Sequence, residues 1–284
     1  MFRSAFDKNL IFLHLPKNGG SSLRPILRRY FDSSNKFTIR LVRNDKLNID
    51  TFVNLPENKR AKIRYLQGHM SFGLHKYMQG PTDYVTILRK PVDRIISFYY
   101  YVLSLPEHRL HREIVDGNMS LYDFAQRVNE PDVHNAQVRF ISGLDDRGDL
   151  MLEKALENIE HYFPVVGLLE QYNTSLILLK EVYHLHTPYY RIENRSKGRK
   201  KVEELPTSTT QLIEELNRED NLLYQAVEER FAKQIEQVGA DRIAYGLKKL
   251  ELANRLYNAQ WFMSGEKRLV NTKQQIKQII KRNY

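Results

Sequence analysis

Lys17, His69 and Arg89 are the side chains of this 284-residue sequence whose surroundings could do chemistry. Lys17 stands in Pro16-Lys17-Asn18-Gly19-Gly20-Ser21-Ser22, between an apolar run and a helix-like segment. Glycines let backbone N–H groups close on an anion, and a helix start adds partial positive charge. Lys17 supplies a full charge, and Ser21 and Ser22 supply hydroxyl donors. The same string also suits a plain strand–turn–helix connection, because Gly-Gly and Ser-Ser are common turn and capping residues. Arg89 leaves the end of DYVTILRK (83–90), and Ser97 follows eight positions later in a helix-like stretch. A phosphate between them could take a charge-assisted bond from the guanidinium and a hydroxyl bond from the serine. An arginine at a strand end is also commonly just solvated, and Arg94 has Asp93 and Asp83 as candidate partners. His69 ends Gln67-Gly68-His69, and an imidazole with an ordinary pKa of about 6.5 can serve as a general base. Against that, most histidines are structural, and there are nine here.

Other chemistries fit less well. A Walker loop needs lysine after its glycines and a Ser/Thr for Mg²⁺, and no such string occurs. His184 with His186, and His108 with His111, lack a carboxylate or thiolate set at metal-site spacing. Asp145–Asp149 does not follow an EF-hand pattern. Asn118, Asn173 and Asn194 sit in glycosylation sequons that matter only on secretion. Tyr99, Tyr100 and Tyr101 read as core and groove lining.

Positioning these loops requires strands that end where they begin. Four segments read as buried strands: 10–15 (LIFLHL), 61–69 (AKIRYLQGH), 83–90 (DYVTILRK) and 161–170 (HYFPVVGLLE). Helical stretches follow at 21–31, with Pro25 read as an N-terminal proline, at 91–105 between two prolines, and at 171–185. This alternation predicts an α/β fold with a central, mainly parallel sheet flanked by helices. Ligands of such sheets gather at the C-terminal strand ends, where all three loops stand. Ser208-Thr209-Thr210-Gln211 reads as a capping box opening a long helix, with 217–239 continuing helical. The division expected is a domain over 1–239 and a basic helical C-terminal extension over 240–284.

Taken in order, HLPKNGGSSL, QGHMSFG and ILRKPVDRIISFYYY resemble the sulfotransferase superfamily. The likeness is greatest to the branch of heparan and dermatan sulfate 2-O-sulfotransferases and their bacterial relatives. NAQVRFISGL (135–144) and FPVVGLLEQYNTSLILL (163–179) are similar to further segments of that family, so the likeness covers roughly 10–179. It implies a P-loop-like sulfotransferase fold and 3′-phosphoadenosine 5′-phosphosulfate (PAPS) as co-substrate, without a metal. It further implies that Lys17, Asn18, Gly19, Gly20, Ser21 and Ser22 hold the 5′-phosphosulfate, and that Arg89 and Ser97 hold the 3′-phosphate. By the same likeness His69 is the base, Lys17 is also catalytic, and Lys197, Gly198 and Arg199 belong to a loop closing over PAPS. Asn18 and Ser21 stand where the family more often has threonine.

Lysine and arginine number 44 against 34 acidic residues, a net charge of +10. From Asp241 onward there are ten basic residues against three acidic ones. Such a surface attracts polyanions, whether nucleic acid, anionic lipid or acidic polysaccharide, and does not choose among them. The family resemblance is what implies an acidic or neutral glycan acceptor and no specific nucleic acid. No apolar run approaches the roughly 20 residues of a membrane helix, and the N-terminal apolar run is too short for a signal peptide. Cysteine is absent, which excludes disulfides and thiolate metal sites and leads to the expectation of a cytoplasmic protein. Two other classes remain open: a non-catalytic polyanion binder, and an ATP-dependent kinase.

Overall fold

A computed structural model describes residues 6–39, 47–128, 130–145, 149–191 and 200–264. The candidates Lys197, Gly198 and Arg199 lie outside the described residues. The first strand, β1 (Asn9–Leu13), is buried at every position, as a run apolar on both faces must be. Helix α1 (Gly20–Arg28) leads to β2 (Lys36–Ile39), and α2 (Leu47–Val53) and α3 (Glu57–Arg60) precede β3 (Tyr65–Gly68). Next come β4 (Thr82–Leu88), α4 (Pro91–Ser104), α5 (His111–Asp116), α6 (Leu121–Arg127), α7 (Ala136–Ser142) and α8 (Asp149–Tyr162). The last strand, β5 (Val165–Leu168), precedes α9 (Tyr172–Val182), α10 (Thr207–Leu216), α11 (Arg218–Val238) and α12 (Ala240–Ser264).

The sheet has five strands in the order β2-β3-β1-β4-β5, and every pairing is parallel. The expected α/β architecture therefore stands. One buried cluster spans the sheet and the helices against it, from Phe12 and Leu13 through Tyr84 and Ile159 to Leu176 and Phe231. Each large apolar side chain so buried contributes about 1.5–3 kcal/mol. A second cluster joins α4, α5, α6 and α10 through Ile95, Phe98, Ile114, Phe124 and Ile213. Ile243 and Leu250 of α12 belong to the first cluster, so the described part of the C-terminal region shares the core of the sheet.

Three local readings change. Strand β2 has no counterpart in the sequence reading; it is an edge strand with one fully buried residue, so alternation has little to register. Pro25 lies inside α1 rather than at its start, because the helix begins at Gly20. Its missing N–H removes one bond from the second turn. The capping box at Ser208 does not form: Pro206 is the N-cap residue of α10, with no side-chain cap. A break at Asn217 (φ −122°, ψ 37°) separates α10 from α11.

Candidate active site

Strand β1 lies between β3 and β4, so its exit loop emerges between theirs. The His14 N–H donates to the Gly68 carbonyl at 2.9 Å. On the other side the Thr86 hydroxyl donates to the Leu13 carbonyl at 2.8 Å. The three loops carrying Lys17, His69 and Arg89 thus start side by side at the C-terminal edge of the sheet, the usual ligand position in open parallel sheets.

Within the first loop, Lys17 has φ 68° and Gly19 φ 74°, two left-handed residues that turn the chain into α1. The earliest N–H groups of a helix have no intrahelical acceptor, so Gly20 and Ser21 present theirs at the mouth of the loop. Ser21 is exposed and Ser22 half-buried. The Asn18 side chain turns inward, its amide donating to the Ile87 carbonyl at 2.8 Å and to Gln137 Oε1 at 2.7 Å. It anchors the loop, leaving Asn18 Oδ1 buried without a hydrogen-bond partner. Lys17 Nζ lies over the Tyr101 ring, 3.8 Å from its centroid, a cation–π contact.

Arg89 is buried, and its Nη1 donates to the Lys17 carbonyl at 3.0 Å. Asp93 approaches its Nη2 at 3.8 Å. The backbone of Arg89 is bracketed by Gln137, whose Oε1 accepts from the Arg89 N–H and whose Nε2 donates to the Arg89 carbonyl, each at 2.9 Å. Gln137 is itself placed by the Asp220 carboxylate, which accepts from the N–H groups of Gln137 and Val138 at 3.2 and 2.7 Å. Burial raises the Asp220 pKa, opposed by Arg94 and by these backbone donors. Arg94 is buried as well, donating to the carbonyls of Asp132 and Val133 at 2.7 and 2.9 Å. Ser97 is buried on α4, two turns into that helix.

Gly68 has φ 145°, and a Cβ there would sit 2.0 Å from the Ile39 carbonyl oxygen. Only glycine lets β3 end this close to β2 and turn out into His69. The His69 ring stacks on that of His14, centroids 4.3 Å apart at 26°, and its Nδ1 is buried without a hydrogen-bond partner. Burial pushes the His69 pKa below its usual value, with Arg24 acting the same way. The His14 backbone and Asp132 oppose this. His14 itself is pushed down to about 3, chiefly by burial and then by His69, Arg24 and Lys17.

A fourth loop, after β5, closes the same end. Leu169 packs against Gly19 so tightly that a Cβ there would meet its Cδ1 at 2.5 Å. Glu170 accepts from the Lys90 N–H and the Tyr224 hydroxyl, each at 2.9 Å. Lys17, Asn18 and Arg89 are therefore joined directly, and His69 reaches the loop through His14. Sequence reasoning assigned no role to His14, Gln137, Glu170 or Asp220. Gln137 carries no charge and Asp220 lies 83 residues away; the likeness of residues 135–144 and 163–179 to family segments pointed to Gln137 and Glu170, and nothing pointed to His14 or Asp220.

Three other histidines are occupied otherwise. The Tyr84 hydroxyl accepts from the N–H groups of Gly73 and His75 and lies 3.0 Å from His75 Nδ1. With both lone pairs used, its proton goes to His75, which is fixed among Phe72, Tyr84 and Tyr162. His108 Nδ1 accepts from the Leu110 N–H, and His111 Nδ1 meets the Val102 carbonyl. Among the described residues no group of three His, Cys, Asp or Glu side chains could hold a metal ion. No helix among them is long and apolar enough to cross a membrane.

Comparison with known proteins points to one family. The sequence model of the galactose-3-O-sulfotransferase family matches residues 3–283. A heparin sulfate O-sulfotransferase of Drosophila melanogaster is 26% identical over 233 residues, covering 72% of this chain and 65% of that protein. The chain thus spans just under two-thirds of the length of its curated relative. These matches overturn the expected cytoplasmic location, because galactose-3-O- and heparan sulfate sulfotransferases are Golgi-lumenal enzymes. The absence of cysteine was a poor guide to compartment: a chain of this length can bury an adequate core without disulfides. The superfamily resemblance of the three motifs, by contrast, stands, and with the match running over nearly the whole sequence the chain belongs to the galactose-3-O-sulfotransferase family.

Proposed function

We propose that this chain transfers a sulfuryl group from PAPS to a hydroxyl of a carbohydrate acceptor. The observation that carries the reading is the meeting of the Lys17 loop, Arg89 and the His14–His69 pair at one edge of the sheet. The residues present fit a doubly phosphorylated anion: an open helix N-terminus, two serine hydroxyls, an ammonium and a guanidinium, with no carboxylate in the loop itself.

PAPS supplies the sulfuryl group and, as adenosine 3′,5′-bisphosphate, the leaving group. The amides at the start of α1, with Ser21 and Ser22, hold the 5′ side. Arg89 and Ser97 take the 3′-phosphate. Lys17 neutralises charge that develops on the departing oxygen, the form of electrostatic stabilisation that water cannot pre-organise. His69 accepts the proton of the acceptor hydroxyl as its oxygen bonds to sulfur and the bond from sulfur to the leaving oxygen breaks. Its lowered pKa keeps it unprotonated, as a base must be. A glycan acceptor is favoured by the family's galactose specificity in name, by the heparin sulfate named for the relative, and by the net charge of +10.

Thermal shift tests the nucleotide class: adenosine 3′,5′-bisphosphate should raise the melting temperature by mass action, and ATP with Mg²⁺ should not. Labelled PAPS with a panel of galactosides and uronic-acid polymers tests the reaction. Binding of glycans with no transfer to any of them would favour the polyanion binder instead, and a shift with ATP–Mg²⁺ alone would favour a kinase.

A further inference from the structure

His14 is a half-buried titratable group that the proposed mechanism leaves without a task. Its ring lies between those of Phe12 and His69, stacked on the first at 5.3 Å and 16° and on the second at 4.3 Å and 26°. It also lies flat over the first residue of α1. A Cβ on Gly20 would stand 2.0 Å from His14 Cδ2 and 2.2 Å from its Nε2, so Gly20 is the floor on which the imidazole rests. One ring thus touches both the opening of the phosphate loop and the face of His69.

The charges around the two rings differ. His14 faces Lys17 and Arg24, both cationic, as well as His69. His69 faces Arg24, but also the Asp132 carboxylate and the backbone of His14. Two adjacent imidazoles disfavour double protonation, because like charges at this range repel. The pair therefore takes one proton, and the anion lies on the side of His69.

Resting on the reading of His69 as the base, we propose that His14 is its positioning residue. In this role the uncharged His14 ring holds His69 in a slot shielded from water, against the phosphate loop, and leaves the single proton to His69. Phenylalanine at position 14 should do much the same, since flatness and bulk are what the slot needs. Alanine should open it to water.

The test is NMR titration of the His69 imidazole in the full chain, assigned by comparison with His69→Gln. His14→Ala should raise the His69 pKa by about one unit, because hydration relieves desolvation. His14→Phe should leave it near its wild-type value. Gly20→Ala, which pushes the ring off its floor, should act in the same direction as His14→Ala. If His14→Ala does not fold, the contrast of Gly20→Ala with His14→Phe carries the same test. Identical His69 titration in the wild type and in whichever of His14→Ala and Gly20→Ala folds would overturn the proposal. Should the wild-type chain transfer no sulfuryl group while these shifts occur, the proposed function fails and the pairing of the histidines stands.

Discussion

Lys17 and His69 divide the proposed chemistry between charge and proton, so their removal should fail in different ways. His69→Ala should lower turnover by about 10²–10⁴-fold, the usual contribution of a general base. Calorimetric affinity for adenosine 3′,5′-bisphosphate should be retained in that variant; normal turnover would remove His69 from the mechanism. Lys17→Ala and Arg89→Ala should both weaken that affinity, and unchanged binding in the pair would dismiss the loop as the nucleotide site. Tyr101 is 39% exposed yet carries the Lys17 ammonium on its face. Tyr101→Phe should keep the behaviour of the wild type, whereas Tyr101→Leu should change the rate through Lys17. Lys17, His69 and Arg89 could be singled out in the sequence only through the order of the three motifs and their likeness to sulfotransferases, since each alone also suits a plain turn, a solvated arginine or a structural histidine. Tyr101 could not, since a run of three tyrosines looks like any apolar helix face until one ring is seen over a cation.

Between the elements, Gln137 on α7 is the joint that fixes Arg89 and Asn18 to each other. Gln137→Ala strips partners from the Arg89 N–H, the Arg89 carbonyl and the Asn18 amide together. Each buried polar group left unpaired costs about 1–3 kcal/mol. The variant should thus lose about 3 kcal/mol or more in urea unfolding and should bind the bisphosphate more weakly. Loss of stability with full affinity would mean that Arg89 keeps its place without Gln137. Strands β1 and β5 could be read from the sequence because burial on both faces leaves an apolar run, and β3 and β4 because Gly68 and Pro91 punctuate shorter ones. What binds α7 and α11 into the site could not. Asp220 caps α7 from a distant helix, and in sequence it is one acid in a charged, solvent-like stretch. The break at Asn217 that brings it there replaces the capping pattern expected nine residues earlier.

Across the whole molecule, acid should destabilise the fold through the same two histidines. Both titrate lower in the folded chain than the roughly 6.5 of an unfolded one. The unfolded chain then binds more protons below that pH, so their contribution is intact above about pH 6.5 and declines as pH falls. For His14 the window extends down to about 3. Melting temperature should therefore drop between pH 7 and pH 5, and His14→Phe should flatten the decline; parallel curves would mean that His14 does not titrate on unfolding. Truncation after Gly239 should also lower stability markedly, because Ile243, Leu250 and Ala253 of α12 are buried. A cooperative, undiminished melt of the truncated chain would make the last helix a separable appendage. The net positive charge was plain from composition, but its compartment was not, since counting cysteines measures a need for cross-links rather than an address.

The backbone of Lys17 has one more implication. At φ 68° a residue with a Cβ costs roughly 1–2 kcal/mol that glycine does not. Lys17→Gly should accordingly melt higher than the parent while being inert. A library of this protein screened for heat resistance alone would drift toward glycine at position 17, selecting robust molecules that have given up their reaction.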